Sequence, residues 1–348
     1  MTDLVERFVK NHKLENREEY RELLKHLEDP EAAEYVRVRA IKLRERYYGR
    51  AVYVRGLIEF TNYCRNGCYY CGINRENQRA VRYRLTPEEI LECCGQGWEL
   101  GFRTFVLQGG EDAWFTDERL AEVVSSVKRA YPNCAVTLSV GERSYESYEK
   151  LKKAGADRYL LRHETASETH YGCLHPSEMS LAARKQCLRS LKSLGYQTGA
   201  GFMVGSPGQT YDTLAQDLMF LEELRPEMAG IGPFIPHQDT RFADQRAGSA
   251  ELTLRLLSVV RILLPAVLLP ATTALGTLAA DGREQGLAAG ANVVMPNLSP
   301  RNRRKHYALY DNKLSEGEEA AEGLSALAKR VKALGYYLDM GRGDAAEI

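Results

Sequence analysis

The sequence predicts an α/β fold, a (β/α)8 TIM-type barrel with an N-terminal helical extension and a C-terminal helical tail. Two observations carry that expectation. Eight short apolar runs, at 53–60, 104–108, 135–140, 158–162, 198–204, 228–231, 267–273 and 292–295, alternate with amphipathic stretches of helical period. Each run also ends in a polar or glycine-rich cluster, and strand C-termini are the face on which barrel enzymes build their sites. A doubly wound open sheet shares the alternation, but no G-x-G-x-x-G turn follows the first run.

Residues 1–50 are charge-rich, with apolar residues at helical spacing: Leu4, Val5 and Phe8, then Leu23, Leu24 and Leu27, then Val36, Val38 and Ile41. They form the extension; 51–310 form the barrel and 311–348 the tail. Helices are expected at 87–100, 118–130, 145–154, 181–194, 211–224 and 252–263, with Gly155 and Gly195 as stop signals after two of them. The first strand runs into a loop holding Cys64. The next four end in Gln108-Gly109-Gly110-Glu111, Ser139-Val140-Gly141-Glu142, Arg162-His163-Glu164-Thr165 and Met203-Val204-Gly205-Ser206-Pro207-Gly208-Gln209. The last three end in Gly232-Pro233-Phe234-Ile235-Pro236-His237, Thr272-Thr273-Ala274-Leu275-Gly276 and Met295-Pro296-Asn297.

With 348 residues, 44% of them hydrophobic, the chain can bury a substantial core. Lys+Arg and Asp+Glu both number 47, so no global basic field favours nucleic acid. The N-terminus lacks the apolar segment of a signal peptide. The longest apolar run, 256–271, is broken by Arg261 and two prolines and is too short to cross a bilayer. Of eight cysteines, three sit in a metal-like loop, which points to a reducing cytoplasm rather than a disulfide framework. Cys93, Cys94, Cys134, Cys173 and Cys187 read as small buried or half-buried hydrophobes.

That loop is the most informative segment. Cys64, Cys68 and Cys71 are spaced C-x3-C-x2-C, with Tyr70 before the last. Three thiolates at this spacing can wrap one small metal centre. A cubane normally takes four cysteines and a structural zinc four closed ligands, and no fourth Cys or His lies nearby in sequence. A zinc knuckle completed by a distant residue remains the competing reading. The pattern resembles the signature of the radical S-adenosylmethionine (SAM) superfamily. That resemblance implies a [4Fe–4S] cluster on the three cysteines, an open iron chelated by SAM, and reductive cleavage of SAM to a 5′-deoxyadenosyl radical.

The other strand ends supply candidate contacts. Gly109-Gly110 allows close backbone approach, and Glu111 is either an acceptor for an ammonium or an ordinary helix-start acid. Alternation places Arg162 and Glu164 on one side of their strand and His163 on the other. The inward pair either neutralises itself or binds a polar ligand. Gly205 to Gln209 is a tight turn with N–H groups for a ligand, or a purely structural one. Thr272 and Thr273 offer hydroxyls at a strand end. Tyr307 and Tyr310 either close over the cavity or pack on the rim, and His237 is assigned no role.

The resemblance extends further. Ile58-Glu59-Phe60-Thr61-Asn62, Gln108-Gly109-Gly110-Glu111, Leu161-Arg162-His163-Glu164-Thr165-Ala166, Thr198-Gly199-Ala200-Gly201-Phe202-Met203-Val204-Gly205, Gly230-Ile231-Gly232-Pro233-Phe234-Ile235-Pro236-His237, Pro270-Ala271-Thr272-Thr273-Ala274 and Gly290-Ala291-Asn292-Val293-Val294-Met295-Pro296-Asn297 resemble the HydE family of [FeFe]-hydrogenase maturases. HydE proteins are similar in fold to biotin synthase and methylornithine synthase, barrels with an internal cavity. The resemblance implies that Tyr70, Gly110, Glu111, Ser139, Glu164, Arg184 and Met203 line SAM, with Arg184 on the methionine carboxylate. It implies that Gln108, Arg162, Thr272, Thr273 and Tyr307 face the substrate. The implied substrate is a small cysteine-bound Fe(CO)2(CN) complex, processed anaerobically towards the di-iron subcluster of the hydrogenase. Other maturation proteins and an electron donor are the implied partners, without nucleic acid or membrane. No cysteine follows Cys187, so the second cluster that many members carry near the C-terminus is not expected. A methylornithine-synthase-like mutase and a non-catalytic iron–sulfur carrier are the alternatives.

Overall fold

The computed structural model describes residues 2–314 and 321–346; the parts of the expected tail at 315–320 and 347–348 lie outside them. The extension is three helices, α1 (Asp3–Asn11), α2 (Arg17–His26) and α3 (Pro30–Tyr48). Asn16 caps α2 by accepting from the Glu19 N–H, and Asp29 caps α3 ahead of Pro30. Val5, Phe8, Leu23, Leu24 and Val36 are buried, as their spacing requires. Arg44, wholly buried in α3, donates to the carbonyls of Gly49, Ala51 and Ala291 and so ties the extension to the body.

The body is built on a parallel sheet of six strands in the order β2 (Gly56–Thr61), β3 (Thr104–Gly109), β4 (Ala135–Ser139), β5 (Arg158–Leu160), β6 (Gln197–Ala200) and β8 (Met228–Ala229). Helices α4 (Pro87–Glu99), α5 (Asp117–Ala130), α6 (Tyr145–Lys153), α8 (Leu181–Ser193), α9 (Tyr211–Leu224) and α10 (Ala250–Leu263) alternate with the strands. A second parallel sheet places β1 (Ala51–Val54) between β10 (Val293–Val294) and β11 (Tyr337–Asp339), and β7 (Met203–Val204) pairs with β9 (Gly232–Pro233). The architecture is therefore α/β with mostly parallel sheets, a partial barrel with helices outside. Val106, Leu138, Phe105 and Val136 exemplify strands buried on both faces.

Several expected strands are broken. The run 53–60 divides at Arg55 into β1 and β2. The run 198–204 divides at Gly201, whose φ of 147° suits glycine and whose added Cβ would lie 1.9 Å from the Gly230 carbonyl oxygen. Run 267–273 forms only single bridges, Met228 to Leu268 and Pro270 to Val293, because Pro270 has no N–H for a ladder. Thr272 and Thr273 consequently open a short helix, α11 (Thr273–Leu278), instead of finishing a strand. Helices α7 (Glu168–Leu174), α12 (Gly282–Ala288) and α13 (Arg301–Arg304) complete the body.

The tail is not helical throughout. A 3-10 turn at Ala321–Gly323 and α14 (Leu324–Ala333) lead into β11, which finds an unpaired edge on β1. Residues beyond it cross the N-terminal ends of the strands. Thr104 donates to the Arg342 carbonyl (2.7 Å), while Arg158 and Gln197 donate to Asp344 (2.6 and 2.9 Å). The end opposite the cysteine loop is thus sealed by the chain itself.

Candidate functional site

The cysteine loop leaves the C-terminal end of β2 and returns at Thr86, the cap of α4. Its shape is set by Arg82. Its Nη1 donates to the Ile73 carbonyl (2.8 Å) and also to that of Asn62, and its Nη2 donates to those of Asn74 (2.6 Å) and Asn77 (3.2 Å). Asn62 braces the loop base, donating to the Val81 and His306 carbonyls and accepting from Tyr83 N–H. A Cβ on Gly110 would lie 2.2 Å from the Tyr63 oxygen and 2.7 Å from Cys64 Cβ, so glycine there lets β3 meet the first cysteine. Gly72 is crowded in the same way by His237 and the Ala308 oxygen.

All three thiols are half-buried and unbridged. Burial pushes the Cys64 thiol up; burial and then the neighbouring thiolates push Cys68 well up, and Cys71 to about 12. Such a set stays protonated unless a cationic centre ionises it, as a metal does. Among the described residues, no group of three His, Cys, Asp or Glu side chains is arranged to hold a single ion. Two histidines from other segments that pack against the loop are committed elsewhere. His175 meets Tyr70 Oη (3.2 Å) and the Tyr171 carbonyl (3.1 Å), and His237 Nδ1 accepts from Asp239 N–H. The donor set suits three corners of a cluster better than a closed zinc cage.

Around the loop the predicted residues gather. Glu111 N–H donates to Cys64 Sγ (3.4 Å); its carboxylate accepts from Arg65 Nε (3.0 Å) and Glu142 N–H (2.8 Å). Buried Arg184 donates to the Glu142 carboxylate and, at 2.8 Å, to the Arg162 carbonyl. Met203 packs with Leu174, Phe234 and Tyr70. The turn at Gly205 is satisfied internally, Gln209 accepting from Gly205 N–H and donating to the Met203 carbonyl.

Arg162 and Glu164 meet on one side and His163 turns to the other, although β5 ends at Leu160 before them. Arg162 Nη2 lies 2.9 Å from Glu164 Oε2, whereas His163 is fully buried against Asp217 (3.4 Å) and the Phe220 ring. Glu164 has a φ of 64°, a costly conformation for a side chain with a Cβ. Arg162 Nε and Nη2, Glu164 Oε2 and Thr272 Oγ1 are buried without a well-directed hydrogen bond among the described residues. Such groups call for a polar ligand. Arg162 and Thr272 flank the same backbone, at Gly230 and Gly232. Thr273 begins α11, where its carbonyl accepts from the Thr277 hydroxyl (3.0 Å).

Glu59, Gln108 and Ser139 are in register at the ends of adjacent strands and so face one side. Tyr307, 2% exposed, closes on Gln108 (3.4 Å). Sequence reasoning missed its neighbours. Buried Glu59 pairs with Lys313 (2.7 Å) and accepts from Asn297 (2.8 Å), and Lys313 lies 5.5 Å from the Tyr307 ring centroid. A lone acid in an apolar run, Glu59, was the available signal. Arg82 and Glu142 gave none, being ordinary charges on loops.

Comparison with known proteins agrees with this geometry. Residues 58–221 match the family described as the Radical SAM superfamily. The chain is 46% identical over 326 residues to the [FeFe] hydrogenase maturase subunit HydE of Thermotoga maritima, spanning 93% of each chain. It is 29% identical over 311 residues to 3-methylornithine synthase of Methanosarcina acetivorans, covering 89% of this chain and 86% of that one. The crystal structure of methylornithine synthase (PylB) superimposes with a TM-score of 0.82 at 27% identity, covering 97% of both chains.

Proposed function

The chain belongs to the HydE family of the radical SAM superfamily, and on that premise we propose that it is a radical SAM enzyme acting in assembly of the [FeFe]-hydrogenase H-cluster. The single observation that carries this reading is the clamped loop of three half-buried thiols against the Gly110–Glu111 corner. Cys64, Cys68 and Cys71 would hold a [4Fe–4S] cluster. When bound, the cluster and SAM supply reductive cleavage of the sulfonium to a carbon radical.

The chain's own residues position and shield. Tyr70, Gly110, Glu111, Ser139, Glu164, Arg184 and Met203 are the proposed SAM contacts. The strained Glu164, its Oε2 without a directed hydrogen bond, suits ribose hydroxyls. Glu111 acts through position, its oxygens already accepting from Arg65 and Glu142. Gln108, Arg162, Thr272, Thr273 and Tyr307 are the proposed contacts of a small iron complex, the cysteine-bound Fe(CO)2(CN) species. Arg162 Nε and the Thr272 hydroxyl, without hydrogen-bond partners among the described residues, would donate to its anionic groups, and buried Tyr307 would keep water from the reacting atoms.

The bridge from Leu57 to Asn297, with those at Leu268 and Pro270, supports reading the parallel sheets as one eight-stranded ring. We take 51–310 as that barrel, 1–50 as the extension and 311–348 as the tail. No helix among the described residues is long and apolar enough to cross a membrane, and the cytoplasm is the proposed location.

The test is electron paramagnetic resonance of the anaerobically reconstituted, reduced protein with and without SAM. A cluster signal that changes shape on adding SAM and is lost in Cys68→Ser is expected. A protein without a cluster, or with one indifferent to SAM, overturns the assignment.

A further inference from the structure

The segment from Lys305 to Lys313 leads from α13 into the tail and crosses the C-terminal ends of the strands, where the proposed cavity opens. The anchors of its path lie on other segments. The His306 carbonyl accepts from the Asn62 side chain (2.7 Å) and the Leu309 carbonyl from Gly72 N–H (2.9 Å), both on the cysteine loop. Asp311 N–H donates to the Pro236 carbonyl (3.0 Å), and the Asp311 carboxylate accepts from Gln238 N–H (2.9 Å). The chain then turns back, and Lys313 seats its ammonium on Glu59 (2.7 Å).

That last anchor is the deepest. The Glu59 side chain is 0% exposed and that of Lys313 is 9% exposed, and the second Glu59 oxygen accepts from Asn297 (2.8 Å). A buried ion pair contributes little net stability over apolar side chains of the same size, so what it yields is a defined arrangement. The sheet register shows which one. Glu59 and Gln108 are partners on adjacent strands, so the seat of Lys313 adjoins the residue on which Tyr307 closes (3.4 Å). The Lys313 ammonium also lies 5.5 Å from the Tyr307 ring centroid, within cation–π reach. A cleft of about 470 Å³ between this segment and the turn at His237 reaches both side chains from solvent. Together they stand between that cleft and the cavity.

We infer that Lys313 is a positioning residue: seated on Glu59, it latches the 305–313 segment as a strap over the cavity and holds Tyr307 against Gln108, beside the substrate. The inference rests on the function proposed above and names the residue that keeps its site shut. A radical in a closed cavity meets only what is held there, whereas in an open one it reacts with any solute that enters. The latch therefore acts on the yield of each cleavage and not on the cluster, which sets the assay.

The experiment uses the full chain, reconstituted anaerobically, with dithionite, SAM and the cysteine-bound Fe(CO)2(CN) complex as probe. The double variant Lys313→Met/Glu59→Gln removes the latch without stranding a charge, and Lys313→Arg keeps a cation on Glu59. Every cleavage releases methionine, so the complex consumed per methionine formed reads how often the radical meets its target. That ratio is expected to fall about 10-fold in the double variant and to stay near wild type in Lys313→Arg. Iron content and the change of the cluster signal on adding SAM stay as in wild type. Hydrogen exchange of the Gly72, Gln238 and Asp311 amides, which the strap engages, is expected to quicken in the double variant alone. An unchanged yield overturns the inference. A lowered yield with unchanged exchange also overturns it, because Lys313 then acts on the substrate directly. A wild type that forms no methionine, or that leaves the complex intact, overturns the proposed function instead, and the inference with it.

Discussion

Replacing Arg82 by glutamine should open the cysteine loop without unfolding the protein. The guanidinium serves four carbonyls, of Asn62, Ile73, Asn74 and Asn77. All four of those residues are at most 7% exposed. A hydrogen bond to a charged group contributes about 1.5–3 kcal/mol, and a buried orphan costs about 1–3 kcal/mol. Four such bonds would sum to about 6 kcal/mol at the low end. Glutamine recovers one of them, and an opened loop lets some carbonyls reach water, so about 3 kcal/mol is the expected local loss. That corresponds to about a hundredfold rise in the opening equilibrium. Native-state hydrogen exchange of the apo-protein should show it as lost protection across 62–84, with the strands of the body unchanged. Iron per chain after reconstitution should fall in parallel, and Arg82→Lys, with one compact ammonium, should lie between. Unchanged exchange at 72–77 together with full iron uptake would refute the reasoning.

Three further outcomes follow from the same geometry. Gly110→Ala places a methyl 2.2 Å from the Tyr63 oxygen, so it should displace Cys64 and cost about 1–3 kcal/mol in thermal unfolding, with reduced cluster content by iron and sulfide assay. His175 is held neutral by burial, its pKa lowered to about 3, so the unfolded chain binds a proton that the folded one refuses between about pH 6.5 and pH 3. Stability therefore falls on acidification: wild type should lose about 2 kcal/mol more than His175→Gln between pH 7 and pH 5 in urea titrations, and parallel losses would exclude this. Lys313→Met leaves Glu59 buried without its cation and should cost about 3–5 kcal/mol, most of it recovered by adding Glu59→Gln. A double variant no more stable than Lys313→Met would show that the pair is not the source.

The sequence determined what depends on short separations. Three cysteines within eight residues prescribe a common centre whatever the surrounding fold. The caps at Asn16, Asp29 and Thr86 set helix starts through contacts no more than three residues away. The two-residue spacing pointed to Arg162 meeting Glu164 with His163 against the core, as found, although the strand itself stops at Leu160. Tertiary structure decided what depends on distant segments meeting. Arg82 is an ordinary loop arginine until the chain folds four carbonyls around it. Glu59 meets Lys313 across 254 residues, and no periodicity encodes that encounter. The tail becomes partly strand because β1 leaves an edge open, and Gly201 breaks its run because the Gly230 carbonyl stands where a Cβ would be. The charge balance was legible as a total of zero. Which acids end beneath their arginines, Glu111 under Arg65 and Asp239 under Arg79, was decided only by folding, since burial acts on position and not on composition.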